Sequence, residues 1–155
     1  MKAELLENAS GVRTFVLIFD KGDPVIENLT EFARRMRLQG SHLTAIGAFS
    51  EVTLGYFDRD RKAYRKIPIR EQVEVVSLLG DVAAGDDGPS VHAHVVVGKA
   101  DGAACGGHLI EARVWPTLEV VLTESPKHLR RRHDSETGLA LISLEGREPA
   151  RRTAS

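Results

Sequence analysis

The chain has 155 residues, of which 42% are hydrophobic and 28% charged, and its formal net charge is −1 at pH 7. This length is typical of one domain with its own core, and this composition excludes wholesale disorder. Proteins that bind a nucleic-acid backbone usually carry a basic excess, so the near-neutral charge leaves such a role dependent on a local patch.

The expected cellular compartment follows from the cysteine content and from the lack of membrane-spanning and signal-peptide patterns. Cys105 is the single cysteine, which excludes an intramolecular disulfide and fits a reducing compartment. No apolar run approaches the ~18 residues that a membrane span needs. The N-terminal segment MKAELLENAS contains acidic residues and no apolar signal-peptide core. We therefore expect a cytoplasmic protein without a membrane partner.

The first predicted elements are a strand and a helix. Residues 12–19 are β-branched and aromatic, which is typical of a strand. Asp23 before Pro24 predicts a helix start, with the aspartate as cap and the proline at the first helical position. Apolar residues then recur at helical spacing as far as Met36, and Gly40 is the expected C-terminal stop. This pattern predicts one main amphipathic helix over about residues 24–38.

The rest of the chain predicts mainly strands. Residues 42–57 are extended, with Gly47 and Gly55 as expected bulges or points of close approach. Trp115-Pro116 predicts an edge or a bend, because proline cannot donate to a β-ladder; Trp115 itself is interpreted as a packing or interface residue. We therefore predict a single α+β domain, in which one helix packs on a largely antiparallel or mixed sheet.

Two histidines interrupt the apolar strand VHAHVVVG at residues 91–98. His92 and His94 are two residues apart and so point to the same face of the strand. Their ring nitrogens can converge on one ion at the ~2.0–2.1 Å typical of zinc–imidazole bonds. His108 follows a predicted hairpin turn and is the candidate third ligand.

The turn decides whether His108 can join the other two. If residues 100–102 form a three-residue loop, His94 lies directly opposite His108. A two-residue loop of Asp101 and Gly102 instead sends His108 to the other face, unless a bulge at residues 106–107 restores the match. The three-histidine site therefore depends on the register of this hairpin.

A site of three histidines with an open fourth position is typical of catalytic zinc. The alternative is that the strand histidines are structural and hydrogen-bonded, and the spacing by itself leaves both interpretations open. Cys105 lies three residues from His108, so a regular strand places it on the opposite face. There it is better explained as a small buried hydrophobic residue than as a fourth ligand.

The segment that contains these histidines, VHAHVVVGKADGAACGGHLIEARVWPTLEVVL at residues 91–122, resembles the signature of the PPC ("plants and prokaryotes conserved") domain. The segments GSHLTAIGAFSEVTLGYFD and VEVVSLLGDVA are similar to other parts of that family. The resemblance covers residues 11–145. It leaves residues 1–10 as an N-terminal segment and residues 146–155 as a flexible C-terminal tail.

The resemblance implies an α+β fold similar to that of acetolactate decarboxylase, a homotrimer, and a divalent metal ion, expected to be zinc. By motif, the metal ligands are His92, His94 and His108. Glu119, in the Glu-Val strand, is carried over as a speculative catalytic residue, and a structural salt bridge or hydrogen bond at Glu119 is an equal alternative.

Three functions follow from this interpretation. We favour a trimeric metal-binding protein that binds a small molecule or has a regulatory role. The first alternative is a DNA-associated regulator like the plant members, although the AT-hook core is reduced here to GREP at residues 146–149. The basic run HLRRRHD at residues 128–134 is the remaining candidate patch. The second alternative is a zinc-dependent lyase or hydrolase, similar to a decarboxylase, that acts on a small carbonyl or carboxylate compound.

Overall fold

A computed structural model describes residues 1–125 and 127–144 of the chain. These residues form nine strands and one helix. The elements in chain order are β1 (Lys2–Ala9), β2 (Val12–Phe19), α1 (Val25–Met36), β3 (Gly40–Asp58), β4 (Ala63–Ile69), β5 (Val73–Gly85), β6 (Gly88–Gly98), β7 (Ala104–Glu124), β8 (Arg130–His133) and β9 (Ala140–Ser143). The C-terminal tail at 146–155, including GREP, lies outside the described residues.

The long strands β3 and β7 organise the sheet. β7 pairs antiparallel with β2, β3 and β6, while β3 also pairs with β4 and β5. β6 lies between β5 and β7, and β1 extends the sheet beyond β2. Among the described pairings, only the contact of β5 with β8 is parallel. The predicted α+β fold with one helix and a largely antiparallel sheet is confirmed.

The helix covers one face of this sheet. Val25, Leu29, Phe32 and Ala33 are buried, which confirms the apolar stripe predicted by their spacing. The Phe32 ring packs edge-to-face against Phe15 of β2, with ring centroids 5.3 Å apart. Every second residue of the strands points to the same side as the helix and completes the core. The opposite face of the sheet therefore remains available for a functional site.

Both expected helix ends need correction. Asp23 does not cap the helix: its carboxylate accepts a hydrogen bond from the Asp20 N–H and lies 2.8 Å from the N-terminal amine. The helix ends at Met36 because Arg37 adopts the left-handed conformation, with φ 54°, and its N–H closes the last turn. Gly40 instead opens β3, where a Cβ would lie 2.7 Å from a backbone carbonyl oxygen.

A second finding concerns the N-terminus. Residues 2–9, for which the sequence predicts no element, form β1 and pair antiparallel with β2. All eight of these residues are exposed, so the strand is held by its hydrogen-bond ladder rather than by burial.

Among the described residues, the structure has no helix of the length and hydrophobicity that a membrane crossing requires.

The sheet bends where β3 and β7 pass each other. The ladder pairs Phe49 with Val114 and then Gly47 with Leu118, so β7 carries extra residues around Pro116. Gly47 has φ +147°, and a Cβ there would lie 2.3 Å from the Thr117 carbonyl oxygen. The predicted close approach at Gly47 and the predicted bend at Pro116 are both confirmed.

Replacing Gly47 with alanine is expected to lower the free energy of unfolding by more than about 2 kcal/mol, because the methyl group meets a backbone carbonyl that cannot move aside. Gly88→Ala is the matched control, since Gly88 also has a positive φ but nothing lies within 4 Å of its Cβ position. It should cost only the backbone strain, about 1 kcal/mol. Urea unfolding measures both, and equal losses would contradict the steric explanation.

Candidate metal centre

The turn between β6 and β7 sets the register on which the site depends. The Lys99 N–H donates to the Ala103 carbonyl at 2.8 Å, and the Gly102 N–H donates back to the Lys99 carbonyl at 2.9 Å. The side chain of Asp101 accepts from the Ala103 N–H at 2.9 Å, and Gly102 has φ +83°. The loop therefore has three residues, 100–102, with its glycine in the left-handed position.

This register brings the three histidines together. His94 pairs directly with His108, and His92 lies two residues away on the same face of β6. The ring centroids are 5.1 to 5.4 Å apart in all three pairs. One ligand atom from each ring lies within 4.8 Å of the others. Ala93 and Val95, which alternate with the histidines along β6, face the core and are almost fully buried.

An aromatic ring packs on one side of the cluster. Tyr64 of β4 stacks on the His108 ring, with centroids 4.5 Å apart and planes inclined by 19°. Gly55 lies opposite His108 on β3, and a Cβ there would lie 2.8 Å from the Tyr64 ring. The predicted close approach at Gly55 is confirmed, and its consequence is that Tyr64 reaches His108. The sequence gives no signal for Tyr64 itself.

A carboxylate lies on the other side of the cluster. Asp81 of β5 is opposite His92, and its Oδ2 atom is 3.7 Å from the His92 Nδ1 atom. Its Oδ1 atom accepts a hydrogen bond from the Arg131 Nη2 group at 2.6 Å. Carboxylates beside metal-binding histidines fix the orientation of the ring, so Asp81 is placed to orient His92.

Sequence reasoning missed both Asp81 and Arg131. The available signal for Asp81 was an acidic residue near the end of the mainly apolar strand segment VEVVSLLGDVA. Arg131 was hidden in the basic run 128–134, which the sequence alone presents as a polar loop. The structure instead buries Arg131 to 8% exposure.

The environment of His94 and His108 favours their neutral form. Burial, and then the neighbouring His92 and His94, lower the pKa of His108 to about 4. Burial, and then His92, also lower the pKa of His94. Burial alone would raise the pKa of Asp81, but its contacts with His92 and Arg131 outweigh that effect and hold the pKa below its usual value.

The residues present fit a divalent metal ion. Neutral imidazoles are the form that coordinates metals, and three imidazole rings are gathered on one face. The His108 Nδ1 atom is buried and has no hydrogen-bond partner among the described residues. Two nitrogens on one tetrahedral zinc are roughly 3.3 Å apart, so small ring rotations would close the cluster on an ion.

The other residues singled out from the sequence lie elsewhere. Glu119 is exposed on β7, eleven residues beyond His108 and past the bend, opposite Ile18 and Ile46. The structure does not bring Glu119 to the histidines of the same chain. Cys105 packs against the core, on the face opposite His108. Trp115 is partly buried, and the Lys21 ammonium lies 3.6 Å from the centre of its ring.

The fold and the histidine signature together define a class of protein. Residues 6–126 match the family described as the Plants and Prokaryotes Conserved (PCC) domain, the family written PPC above. This match spans more than half of the chain, so the chain belongs to the PCC domain family.

Solved structures of related proteins support this assignment. The metal-containing protein AF0104 from Archaeoglobus fulgidus is 34% identical, with a TM-score of 0.78 over 92% of this chain and 96% of that one. A plant- and prokaryote-conserved protein from Pyrococcus horikoshii is 29% identical, with a TM-score of 0.79 over 92% and 94% of the two chains. A Ralstonia eutropha protein, whose name proposes DNA binding, is 29% identical, with a TM-score of 0.80 over 90% and 95%.

Two further likenesses are more restricted. A Synechococcus protein named "Bifunctional protein GlmU" is 31% identical over 86% of this chain, but the chain spans only about a fifth of that relative's length. A Staphylococcus aureus protein similar to α-acetolactate decarboxylase is 12% identical, with a TM-score of 0.53 over 71% of this chain and 51% of that one. The predicted similarity to acetolactate decarboxylase is therefore confirmed at the level of fold.

In the metal-free protein, His108 is expected to stay neutral down to about pH 4. Its folded-state pKa lies below the ordinary value of 6.5, so folding favours the neutral ring. The stability that this provides is complete above pH 6.5 and is lost as the pH falls from 6.5 towards 4. Titration of the ring protons by NMR measures the folded-state pKa, and a His108 midpoint near 6.5 would contradict the burial of the ring.

Proposed function

We propose that this PCC-domain protein binds a divalent metal ion, zinc, through His92, His94 and His108. The observation that carries the proposal is the convergence of three ring nitrogens within 4.8 Å on one face of the sheet. The low pKa of His108 supports it, because a ring that stays neutral needs to release no proton when it coordinates. The name of the Archaeoglobus relative, a metal-containing protein, agrees with this proposal.

The chain's own residues hold and orient the site. Asp81 faces His92, Tyr64 covers one side of His108, and the β6–β7 turn fixes the distance between the two strands. Three protein ligands leave one coordination position open, and bound zinc supplies Lewis acidity there. In this chain, that open position is best suited to holding a small molecule, as a sensor or regulatory site in the cytoplasm.

We further propose that the protein is a homotrimer, assembled through the face of the sheet that α1 leaves uncovered. Ile46, Leu79 and Val121 lie on three neighbouring strands of this face and are 61%, 59% and 46% exposed. Thr44 lies between Leu79 and Val121 in the ladder, so the apolar residues form one patch. Contiguous exposed apolar patches mark interaction surfaces, and His94 pairs with Leu79 at the edge of this one.

The metal assignment predicts a defined loss in a histidine variant. Purified protein should contain close to one zinc ion per chain, and His92→Ala/His94→Ala should retain less than a tenth of it, because a single imidazole binds zinc weakly. His128→Ala removes an exposed histidine outside the cluster and should leave the zinc content unchanged. Elemental analysis of the three proteins makes the comparison. Equal zinc in the wild type and the double variant would remove the proposed site.

The proposed trimer predicts a lower mass in solution when charges are introduced into the apolar patch. Ile46→Lys/Val121→Lys places two charges in the apolar patch and should convert a trimer into monomers at micromolar concentration. Leu144→Lys alters a residue that is 84% exposed at the end of β9 and should leave the trimer intact. Light scattering after gel filtration gives the mass. A monomeric wild type would contradict the proposed assembly.

A second candidate function is DNA association, which the name of the Ralstonia relative favours. The basic run that would serve it is weaker than its sequence indicates, because Arg131, at its centre, is buried in an ion pair with Asp81. A salt-sensitive shift of an A·T-rich duplex in a gel would support DNA association over the small-molecule role. The absence of a shift at moderate salt would argue against it.

The third candidate is a zinc-dependent lyase or hydrolase. The likeness to an acetolactate decarboxylase-like protein supports only the fold, and a fold does not carry an activity with it. A catalytic role for Glu119 would require a second chain to bring it to the histidines, because eleven residues of β7 separate it from His108. Unchanged zinc content in Glu119→Gln would agree with a position outside the metal's ligand set.

A further inference from the structure

A cavity lies outside the metal centre, where β3, β4 and β7 meet the start of α1. It has a volume of about 480 Å³, which is within the usual range of small-molecule sites. No histidine is among the described residues that line it. The cavity is therefore a candidate binding site that the proposed metal centre does not use.

The cavity is lined by equal numbers of acidic and basic side chains. They are Glu27, Glu51, Glu111, Lys66, Arg70 and Arg113. One acid and one base compensate each other, because the Arg113 Nε atom lies 3.9 Å from the Glu51 Oε1 atom. Within the described part of the chain, the other four make no ion pair. Two acids and two bases therefore remain available to a ligand.

The four remaining charges are separated by sign. The bases are Lys66 on β4 and Arg70 just beyond its end, whereas the acids are Glu111 on β7 and Glu27 on α1. An isolated bridge between Pro24 and β7 holds the start of α1 on the β7 side. β4 and β7 pair with opposite edges of β3, so their backbones are roughly 10 Å apart. One side of the cavity is therefore negative and the other positive.

The register of the two ladders places Lys66 and Glu111 on one face of the sheet. Thr53 of β3 pairs with Glu111 of β7 and with Pro68 of β4. The Thr53 hydroxyl donates to the Glu111 carboxylate at 2.9 Å, so these two side chains share a face. Lys66 is two residues from Pro68 in a regular ladder and points to that same face. Only the width of β3 separates the two charges.

Thr53 fixes the orientation of Glu111 before any ligand arrives. Thr53 lines the cavity but is only 9% exposed, and its hydroxyl donates to the Oε1 atom of Glu111. The Oε2 atom has no hydrogen-bond partner among the described residues, which leaves it able to accept from a ligand. A group that is already oriented loses less entropy on binding, so this carboxylate is suited to recognition.

A ligand that complements this cavity carries both charges. An ammonium group matches the acidic side, and a carboxylate matches the basic side, where lysine and arginine supply charged N–H donors. A free α-amino acid has these two groups on neighbouring carbon atoms, and the long side chains of Lys66 and Glu111 can reach it from both sides. Pro24, Pro68 and Ile69 add apolar surface to the lining, which favours an apolar side chain.

We propose that this cavity binds a free α-amino acid with an apolar side chain, with Glu111 binding its ammonium group and Lys66 its carboxylate. The inference goes beyond the proposed metal site, because none of the residues involved is one of the three histidines. The two sites share a face of the sheet: Tyr64, which stacks on His108, precedes Lys66 by two residues in the same regular ladder.

The test is a calorimetric titration of the full chain with L-leucine. Two analogues carry one charge each, since 4-methylpentanoate lacks the ammonium group and L-leucinamide lacks the carboxylate. L-Leucine should bind saturably at millimolar concentration or below. Each analogue should bind about tenfold or more weakly, because charge-assisted hydrogen bonds are lost. The absence of saturable binding of L-leucine, or an analogue that binds as tightly, would overturn the inference.

Two variants test the two sides of the cavity. Glu111→Gln keeps an acceptor for Thr53 but removes the negative charge, and Lys66→Gln removes the positive one. Each should raise the dissociation constant of L-leucine about tenfold or more. Both side chains are exposed, so the unfolding temperature should stay at the wild-type value. An unchanged affinity in either variant would contradict the assigned role of that residue and overturn the inference.

Matched controls remove one charge of each sign elsewhere. Glu31 on α1 and Arg65 on the other face of β4 are exposed and are not among the described residues that line the cavity. Glu31→Gln and Arg65→Gln should leave the affinity for L-leucine unchanged. A tenfold loss in both controls would show that the effect follows net charge rather than this cavity, and would overturn the inference.

The same titration of chelator-treated protein separates this site from the metal centre. The affinity for L-leucine should not change when the metal is removed, since no proposed metal ligand lines the cavity. Loss of binding in the metal-free protein would place the amino acid at the metal centre and overturn the inference. Because this measurement needs no bound zinc, failure of the proposed metal site would not be mistaken for failure of the amino-acid site.

Discussion

The arrangement of the metal centre depends on one short turn. The three-residue loop between β6 and β7 is closed by two backbone hydrogen bonds and by the Asp101 carboxylate, and Gly102 supplies its left-handed residue. A shift by one residue would move His108 to the core side of β7. The same shift would turn the buried Leu109 out of the core, so the packing of the core and the geometry of the site enforce the same register.

The second constraint is the bend shared by β3 and β7. Gly47 lets the β3 backbone approach Thr117 more closely than any side chain would allow, and β7 carries extra residues around Pro116 at the same level. Each strand therefore contributes to two regions of the sheet. One half of β7 holds His108, and the other half pairs with β2 beside the apolar patch. The bend places Glu119 and His108 in different regions of the sheet, although they are on one strand.

The sequence was informative where short-range rules apply. The period-two pattern around His92 and His94 predicted their common face, and the helical stripe ending at Met36 predicted the helix. It was misleading at the C-terminal end of the helix. Gly40 is the stronger stop signal in the sequence, but the helix ends earlier because Arg37 takes the left-handed conformation. It gave nothing for Tyr64 or Arg131, whose positions depend on how β4 and the β8–β9 hairpin pack against the cluster.

By itself, the sequence determined the class of fold, the pair of histidines on one strand and the two possible positions of the third. Those features depend on neighbouring residues and on backbone periodicity, which local sequence encodes. The tertiary structure decided which register the hairpin takes, that Asp81 and Arg131 lie beside the rings, and that Glu119 does not. These are contacts between residues up to 50 positions apart, and such contacts follow from the packing of whole strands rather than from any local pattern.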